Sequence, residues 1–479
     1  MTNDPTITYP TITSEDPMNN RLTRTDIEPG SPGSHDSRRT PISRCGGVFS
    51  IALAAAISLA LGCGGGNKGA KNPGDGTLPG GDVIGEGTNV GKKPERTISR
   101  DTKRDYQEAL AYFQKQESEG WNKSNCESAA DKFASVASDH PKLVEAPYMS
   151  ALAYHRCNLS DKAEKAYRQA LKVDGRHALS MSNLGALYFQ DGKLDQAKQQ
   201  WEGALKVDGK IVGARNNLAW LLLQELRGQK AWSSSWKRTE QDARDQLSAS
   251  LAVDTENVRT YVLYALVYME GWERNKSRLD LAKLLLDEGA ERNDKFAPLY
   301  NARGLLQMNR NNQGEALKNF QQAVELDPDF VEARMNVGNI TLGFRKYDTA
   351  EEQFTKVLAL QPNDYDAVIG LGVAQRGLGK LDDAEASYKK AVKLDSNRGA
   401  AHFNLGVLYK DFRANSSDDL KASQAAYREA REYFQTFMSK PDAASEDKQE
   451  AKDNISDCDK IIKQLDDVIK AMAQDAASK

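Results

Sequence analysis

Histidine and cysteine, the side chains that most often hold metals or attack substrates, are scarce in this chain of 479 residues. The five histidines include no HExxH motif and the five cysteines include no CxxC motif, so the usual spacings of zinc ligands are missing. His155 and Cys157 lie close together, but no second His/Cys pair stands at zinc-site spacing. Gly64-Gly65-Gly66 follows no predicted strand, which argues against a phosphate-binding or dinucleotide-binding loop. We therefore predict a protein that is not an enzyme and that uses no cofactor, metal or small-molecule substrate.

The composition favours helices and argues against nucleic acid as the main ligand. Lys and Arg number 65 against 68 Asp and Glu, a formal net charge of −3, which leaves no basic excess to hold a polyanion. Ala, Leu, Lys, Gln and Asp outweigh the β-branched residues, a balance typical of α-helical proteins. Five cysteines are too few for a disulfide-built scaffold of this length. The elements that position any binding residues are therefore expected to be helices.

The beginning of the chain is expected to be a signal region. Residues 1–44 are rich in Thr, Ser, Pro, Asp and Asn without an apolar period, and we predict that they are disordered. Residues 45–63 contain a short apolar run behind several arginines, which is the anatomy of a secretion signal. The run from Leu59 to Cys63 resembles the bacterial lipobox, and this resemblance implies cleavage before Cys63 and attachment of lipid to its side chain. The alternative is an uncleaved membrane anchor.

A flexible tether is predicted to follow. Residues 64–100 are Gly-rich and have no sustained apolar pattern, and a flexible chain of this length has an end-to-end distance of roughly 30 Å. Gly64 stands directly after the cysteine, where an Asp would resemble the inner-membrane retention signal of bacterial lipoproteins. The resemblance therefore implies an outer-membrane lipoprotein that faces the periplasm, held to the membrane through lipid on Cys63.

From about residue 101 onward a pattern of about 34 residues recurs. Position 8 is small, position 20 is Ala, position 24 is large, and Pro, Gly or Ser near position 32 often ends the unit. Small side chains at positions 8 and 20 let two helices approach closely, and the large residue at position 24 fills the gap to the neighbouring helices. Nine such units begin near Asp101, Val144, Ala178, Val212, Val258, Ala297, Val331, Tyr365 and Gly399.

This array resembles the tetratricopeptide repeat (TPR) family. The resemblance implies an all-α, right-handed superhelical α-solenoid of about nine helix–turn–helix repeats over residues 101–444. Insertions lie near 224–240 in the fourth repeat and 411–422 in the ninth. Residues 445–479 carry a one-sided apolar stripe, and we predict a capping helix with a tail there because repeat arrays need their last interface covered.

Two cysteines are candidates for a disulfide. Cys126 and Cys157 each lie near the turn between the two helices of a repeat, in adjacent repeats, so both belong to one edge of the array. In an oxidising periplasm this placement permits a bond if the Cα atoms come within about 7 Å. The alternative is two free, buried thiols.

The first helix of each repeat lines the concave groove of a TPR array, and it supplies the predicted binding residues. In arrays resembling this one, Asn at position 6 hydrogen-bonds the backbone of an extended peptide, since an amide both donates and accepts. The alternatives are that Asn is simply common at this position and that Trp220, at position 9, packs in the core. The predicted groove residues are Asn183, Asn217, Trp220, Asn336 and Asn404.

The insertion in the fourth repeat offers a second candidate site. Trp232 and Trp236 stand one helical turn apart beside several basic residues, a pattern that would dock a partner or lipid headgroups. The alternative is that the insertion folds back and covers the edge of the array itself.

These features together predict a lipid-anchored scaffold that binds other envelope proteins. The layout resembles the TPR lipoproteins of the myxobacterial adventurous gliding-motility (Glt) machinery, which implies a periplasmic link in a motility machine. Two alternatives remain, a pilotin-like lipoprotein for secretin or pilus assembly and a recruiter of cell-wall enzymes.

Overall fold

The computed structural model describes residues 100–416 and 418–477. The predicted disordered region, the signal with Cys63 and almost all of the tether lie outside the described residues. Within them, no strand is present, and the all-α fold predicted from the sequence is confirmed. No helix in this part of the chain is long and apolar enough to span a membrane.

Two compact units make up the described chain, with the boundary after residue 306. The helices that begin in the first unit are α1 (Arg100–Glu119), α2 (Lys123–Asp139), α3 (Glu145–Arg156), α4 (Ser160–Val173), α5 (Ala178–Gln190), α6 (Leu194–Val207), α7 (Val212–Arg227), α8 (Ser234–Val253), α9 (Val258–Met269), α10 (Ser277–Arg292) and α11 (Ala297–Asn309).

The second unit contains α12 (Gln313–Leu326), α13 (Val331–Gly343), α14 (Tyr347–Leu360), α15 (Tyr365–Gly377), α16 (Leu381–Leu394), α17 (Ala400–Val407), α18 (Leu420–Met438) and α19 (Ser445–Ala477). A π-helical segment, Leu408–Arg413, directly continues α17. In both units successive helices pack as pairs, such as α5 with α6 and α15 with α16.

The close packing of each pair depends on the small residue at position 8. A methyl group added to Gly185 would lie 2.7 Å from Nε1 of Trp201, and one added to Gly372 would lie 2.5 Å from Cε1 of Tyr388. These aromatic residues occupy position 24 and are almost completely buried. The ring of the second helix therefore lies directly against the backbone of the first.

An aspartate stops the second helix of several repeats. The Oδ1 atoms of Asp174, Asp208, Asp327 and Asp395 each accept a hydrogen bond from the backbone N–H two residues later, at 2.9–3.0 Å. This local side-chain bond competes with continuation of the helix, so the chain turns at position 31 and begins the next repeat.

The array ends with α19, which packs along α18 as the predicted capping helix. Phe434 and Phe437 of α18 are buried in a cluster that includes Ala451 and Cys458 of α19. The thiol of Cys458 is free, and burial raises its pKa to about 11. Its position fits a packing role better than a reactive one.

Candidate functional site

The asparagines at position 6 connect the first helices of neighbouring repeats. Nδ2 of Asn183 donates to the hydroxyl of Tyr148 at 3.3 Å, and Oδ1 of Asn217 accepts from Nη2 of Arg259 at 2.7 Å. Each of these bonds joins two successive first helices, α3 with α5 and α7 with α9.

The second unit repeats this arrangement. Oδ1 of Asn404 accepts from Nη1 of Arg376 at 3.3 Å, so α15 and α17 are joined in the same way. Asn336 is 6% exposed and Asn404 is 7% exposed. Peptide binding by these amides stays a prediction, and a peptide would have to replace the bonds that Asn183, Asn217 and Asn404 make within the array.

Trp220 lies inside the first unit. Trp220 is 6% exposed, and the guanidinium carbon of Arg227 lies 5.9 Å from the ring centroid. This burial corresponds to the core-packing alternative, because a peptide would reach little of the ring.

The insertion of the fourth repeat folds back onto the first unit. Trp236 is 2% exposed and stacks on Trp232, with ring centroids 5.1 Å apart. Nε1 of Trp232 donates to the carbonyl of Gly271 at 3.1 Å. The ring of Trp236 is not available to a partner, and the structure therefore has the folded-back arrangement considered above as the alternative to docking.

Arg278 stabilises this folded-back edge. Its Nε donates to the carbonyl of Glu270 at 2.8 Å, and its Nη2 lies 3.2 Å from Oε1 of Glu240. Its guanidinium carbon also lies 5.4–5.6 Å from the centroids of both tryptophan rings. A buried arginine that is paired and hydrogen-bonded in this way holds the insertion against the turn between α9 and α10.

Cys126 and Cys157 form a disulfide, with Cα atoms 6.3 Å apart. Cys126 lies in the first turn of α2, and Cys157 directly follows α3. The bond therefore joins the second helix of the first repeat to the first helix of the second repeat.

His155 is part of the core and not of a metal site with Cys157. It is 5% exposed, and its Nδ1 lies 3.2 Å from the hydroxyl of Tyr167. Burial lowers the pKa of His155 to about 4. Among the described residues, no group of three or more His, Cys, Asp or Glu side chains has a geometry that would hold a metal ion.

An exposed apolar row, Phe344, Leu378 and Phe412, was missed by the sequence reasoning. These residues are 42%, 38% and 36% exposed, and all three occupy position 14 of consecutive repeats in the second unit. The preceding repeats have Cys157, Asp191, Glu225, Gly271 and Arg310 at this position. Comparing one register position across the repeats would have revealed the row, because exposed leucine and phenylalanine are unusual only when they recur in one place.

The backbone holds the first two members of the row in the same orientation. Phe344 and Leu378 cap α13 and α15 with nearly equal dihedral angles, φ −83° and ψ 4° against φ −84° and ψ −1°. Asp191 follows α5 with nearly the same dihedral angles. The backbone conformation at this position is therefore shared by these repeats, which differ only in the side chain that stands there. The third member, Phe412, lies in the π-helical segment, and its ring centroid is 5.9 Å from the guanidinium carbon of Arg376.

Comparison with known proteins gives one family. Two models described as tetratricopeptide repeat match the chain, one over residues 148–197, 338–400 and 370–409 and the other over 297–330. Among curated proteins, no sequence matches significantly.

Similar solved structures include a thermophilic TPR protein from Thermus thermophilus, with 23% identity, 42% of this chain and 99% of that one covered, and a TM-score of 0.36. PilW, a type IV pilus biogenesis factor, is 18% identical over 49% of this chain and 97% of its own, with a TM-score of 0.37. Human IFIT1 in complex with PPP-AAAA is 18% identical over 69% of this chain and 80% of its own, with a TM-score of 0.46.

Proposed function

Because the chain belongs to the tetratricopeptide repeat family, we propose that it is a non-enzymatic scaffold that binds partner proteins. The observation that carries this proposal is the exposed apolar row, Phe344, Leu378 and Phe412. Large apolar side chains that recur on one edge mark a contact surface, since covering them releases water and each contributes about 1–2 kcal/mol when buried. The partner we propose is a protein segment with apolar side chains that cover this row.

The row has an advantage over the groove asparagines as a binding surface. Its side chains are exposed, whereas the amides of Asn217 and Asn404 are buried and bonded to arginines of the neighbouring repeat. A partner therefore reaches the row without breaking bonds inside the array. Groove binding remains part of the proposal as a second contact for the same partner.

We further propose that the partners are components of a bacterial envelope machine. Cys63 with its lipobox-like run and the Gly-rich tether support a lipid anchor at the outer membrane, facing the periplasm. An anchor and tether would confine the encounter to the membrane surface and raise the effective concentration of the partner. The resemblance of the layout to the Glt lipoproteins makes gliding motility the first candidate process.

Affinity capture with matched variants tests the proposal. The protein would be captured through a C-terminal tag from gently solubilised envelopes, as wild type, as Cys63→Ser, as Phe344→Ser/Leu378→Ser/Phe412→Ser and as a control. The control is Leu360→Ser/Val468→Ser/Met472→Ser, which removes exposed apolar side chains of the same unit outside the row.

We expect at least one envelope protein to be recovered about tenfold less with the row variant and equally with the control. Equal recovery with the row variant and the wild type would overturn the row as the binding surface. Motor subunits and outer-membrane barrels that disappear with Cys63→Ser would support the motility assignment. A secretin would favour the pilotin-like role instead, and a hydrolase or synthase would favour recruitment of cell-wall enzymes.

A further inference from the structure

Glu332 is a buried carboxyl group in the second unit, and one of its oxygens has no hydrogen-bond partner. It lies in the first turn of α13 and is only 7% exposed. Its Oε1 atom is shielded from solvent and makes no hydrogen bond. A buried carboxylate in this situation is costly, whereas the protonated acid is tolerated far better.

The charged groups around Glu332 are acids. Burial is the largest cause that raises its pKa from 4.5 to about 7, and Asp327 and Asp364 raise it further, while only its own backbone N–H acts in the opposite direction. Asp327 ends α12, and Asp364 caps α15 by accepting from the backbone N–H of Ala367 at 2.7 Å. The two acidic side chains that act on the carboxyl therefore come from the segments that directly precede α13 and α15.

In the next repeat, the acidic side chain at the equivalent position forms an ion pair. Asp366 occupies position 2 as Glu332 does, and Arg398 occupies position 34 as Asp364 does. Nη2 and Nη1 of Arg398 donate to the two carboxylate oxygens of Asp366 at 2.7 and 3.3 Å. Where the eighth repeat has an arginine opposite its acid, the seventh repeat has a second acid.

We propose that the joint between the seventh and eighth repeats is a proton-sensitive hinge. Glu332 carries a proton while α13 packs against α15, and release of this proton to water loosens the packing. The joint between the eighth and ninth repeats, which has the Asp366–Arg398 pair, does not respond in this pH range.

The sign of the pH dependence follows from the two states of Glu332. In the packed state the pKa is about 7, and in the opened state it returns towards 4.5. The packed joint therefore binds one more proton between these values, so its stability is greatest below about pH 4.5, falls as the pH rises, and levels off above about pH 7.

A consequence for binding rests on the proposed function, whereas the hinge itself does not. Phe344 caps the end of α13 and Leu378 caps the end of α15, so the two helices that meet at the hinge carry the first two members of the exposed apolar row, while Glu332 lies at the opposite end of α13. Loosening the hinge would change the spacing of the row, and we expect partner affinity to fall between pH 5 and pH 7.

Hydrogen exchange of the full chain tests the hinge without any partner. Exchange would be measured by mass spectrometry between pH 5 and pH 8, corrected for the pH dependence of unstructured peptides, in peptides that cover α13 and the start of α15. One proton released on opening predicts an opening constant that rises about tenfold per pH unit between pH 5 and pH 7. Peptides around Arg398, at the start of α17 in the same molecule, are the internal control and should not change.

Two variants complete the test. Glu332→Gln replaces the ionisable carboxyl group with a neutral amide, so it should make the opening constant independent of pH. Asp364→Asn keeps a good helix cap and removes one neighbouring charge, so it should reduce the total rise even if Glu332→Gln does not fold. A wild-type protein whose opening constant is flat, or a rise that persists in Glu332→Gln, would overturn the hinge. Loss of pH-dependent exchange with retained partner binding would leave the proposed function untouched.

Discussion

At the scale of single residues, the polar groups along the first helices hold the repeats together. The amides of Asn217 and Asn404 receive arginine N–H groups from the next or preceding first helix, and Asn183 reaches Tyr148. A buried polar group left without its partner costs about 1–3 kcal/mol. These asparagines therefore contribute to the relative placement of neighbouring repeats whether or not a peptide also uses them.

The disulfide at the start of the array gives a residue-scale prediction. Cys126 and Cys157 are separated by 31 residues, a loop for which the chain-entropy model gives about 3–4 kcal/mol of stabilisation. We expect reduction, or Cys126→Ser/Cys157→Ser, to lower the free energy of unfolding by this amount. Thermal unfolding with and without reductant measures it.

The double serine variant is also the control for this measurement, because the reductant should not change its unfolding. Mass spectrometry after alkylation gives the decisive reading. Full alkylation of Cys126 and Cys157 in native protein without reductant would contradict the bond.

At the scale of helices, one phenylalanine ring occupies the space next to position 6 of the eighth repeat, where other repeats have an asparagine. Repeat eight has Gly370 at position 6, where four other repeats have Asn, and a methyl group there would overlap the ring of Phe354. The same ring lies against Gly338, whose added methyl group would be 2.8 Å from Cζ. Phe354 is completely buried, so α14 packs against α13 and α15 at once through this side chain.

A pair of glycine substitutions tests this packing. Gly370→Ala should lower the free energy of unfolding by about 1–3 kcal/mol, because the ring has to move. Gly314→Ala should raise it by up to about 1 kcal/mol, since nothing lies within 4 Å and alanine favours the helix. Denaturant unfolding of both variants gives the comparison, and equal effects would show that Phe354 does not constrain Gly370.

At the scale of the whole molecule, the capping helix decides whether the end of the array is covered. Ile455, Ile461, Ile462 and Leu465 of α19 pack against the last apolar cluster. Beyond them, Val468 and Met472 are 47% and 60% exposed. The apolar stripe therefore contributes to the fold over its first part only.

Two truncations test the division of α19. Removal of residues 445–479 should cost roughly 3–6 kcal/mol, since the contacts of its half-buried aliphatic side chains are lost and the apolar surface that they cover becomes exposed. Removal of residues 468–479 should cost less than about 1 kcal/mol, because the side chains of residues 468–475 are largely exposed already. Calorimetry should show a clearly lower transition temperature for the longer truncation than for the shorter one. Equal losses of stability in the two truncated proteins would contradict this division of α19.

The helices, their pairing and the cap could all be predicted from the order of residues along the chain. Spacing of small and large residues such as Gly372 and Tyr388 is a local property that repeats, and it specifies which faces of two successive helices must meet. The edge location of Cys126 and Cys157 also followed from the register. Because the pattern recurs, the fold could be recognised without any long-range information.

Which side chains remain accessible depends instead on contacts made across the folded array. The partners of Asn217 and Asn404 come from helices 28 to 42 residues away, and Trp236 is covered by a turn of the next repeat. The charge of Asp364, at the far end of the same repeat, raises the pKa of Glu332. The repeat register predicts which positions share a face of the array. Whether a side chain on that face is covered depends on the particular residues of the neighbouring repeats and insertions that pack against it. For this reason the recurrence of Phe344, Leu378 and Phe412 at one position can be read from the register, but their exposure depends on the tertiary structure.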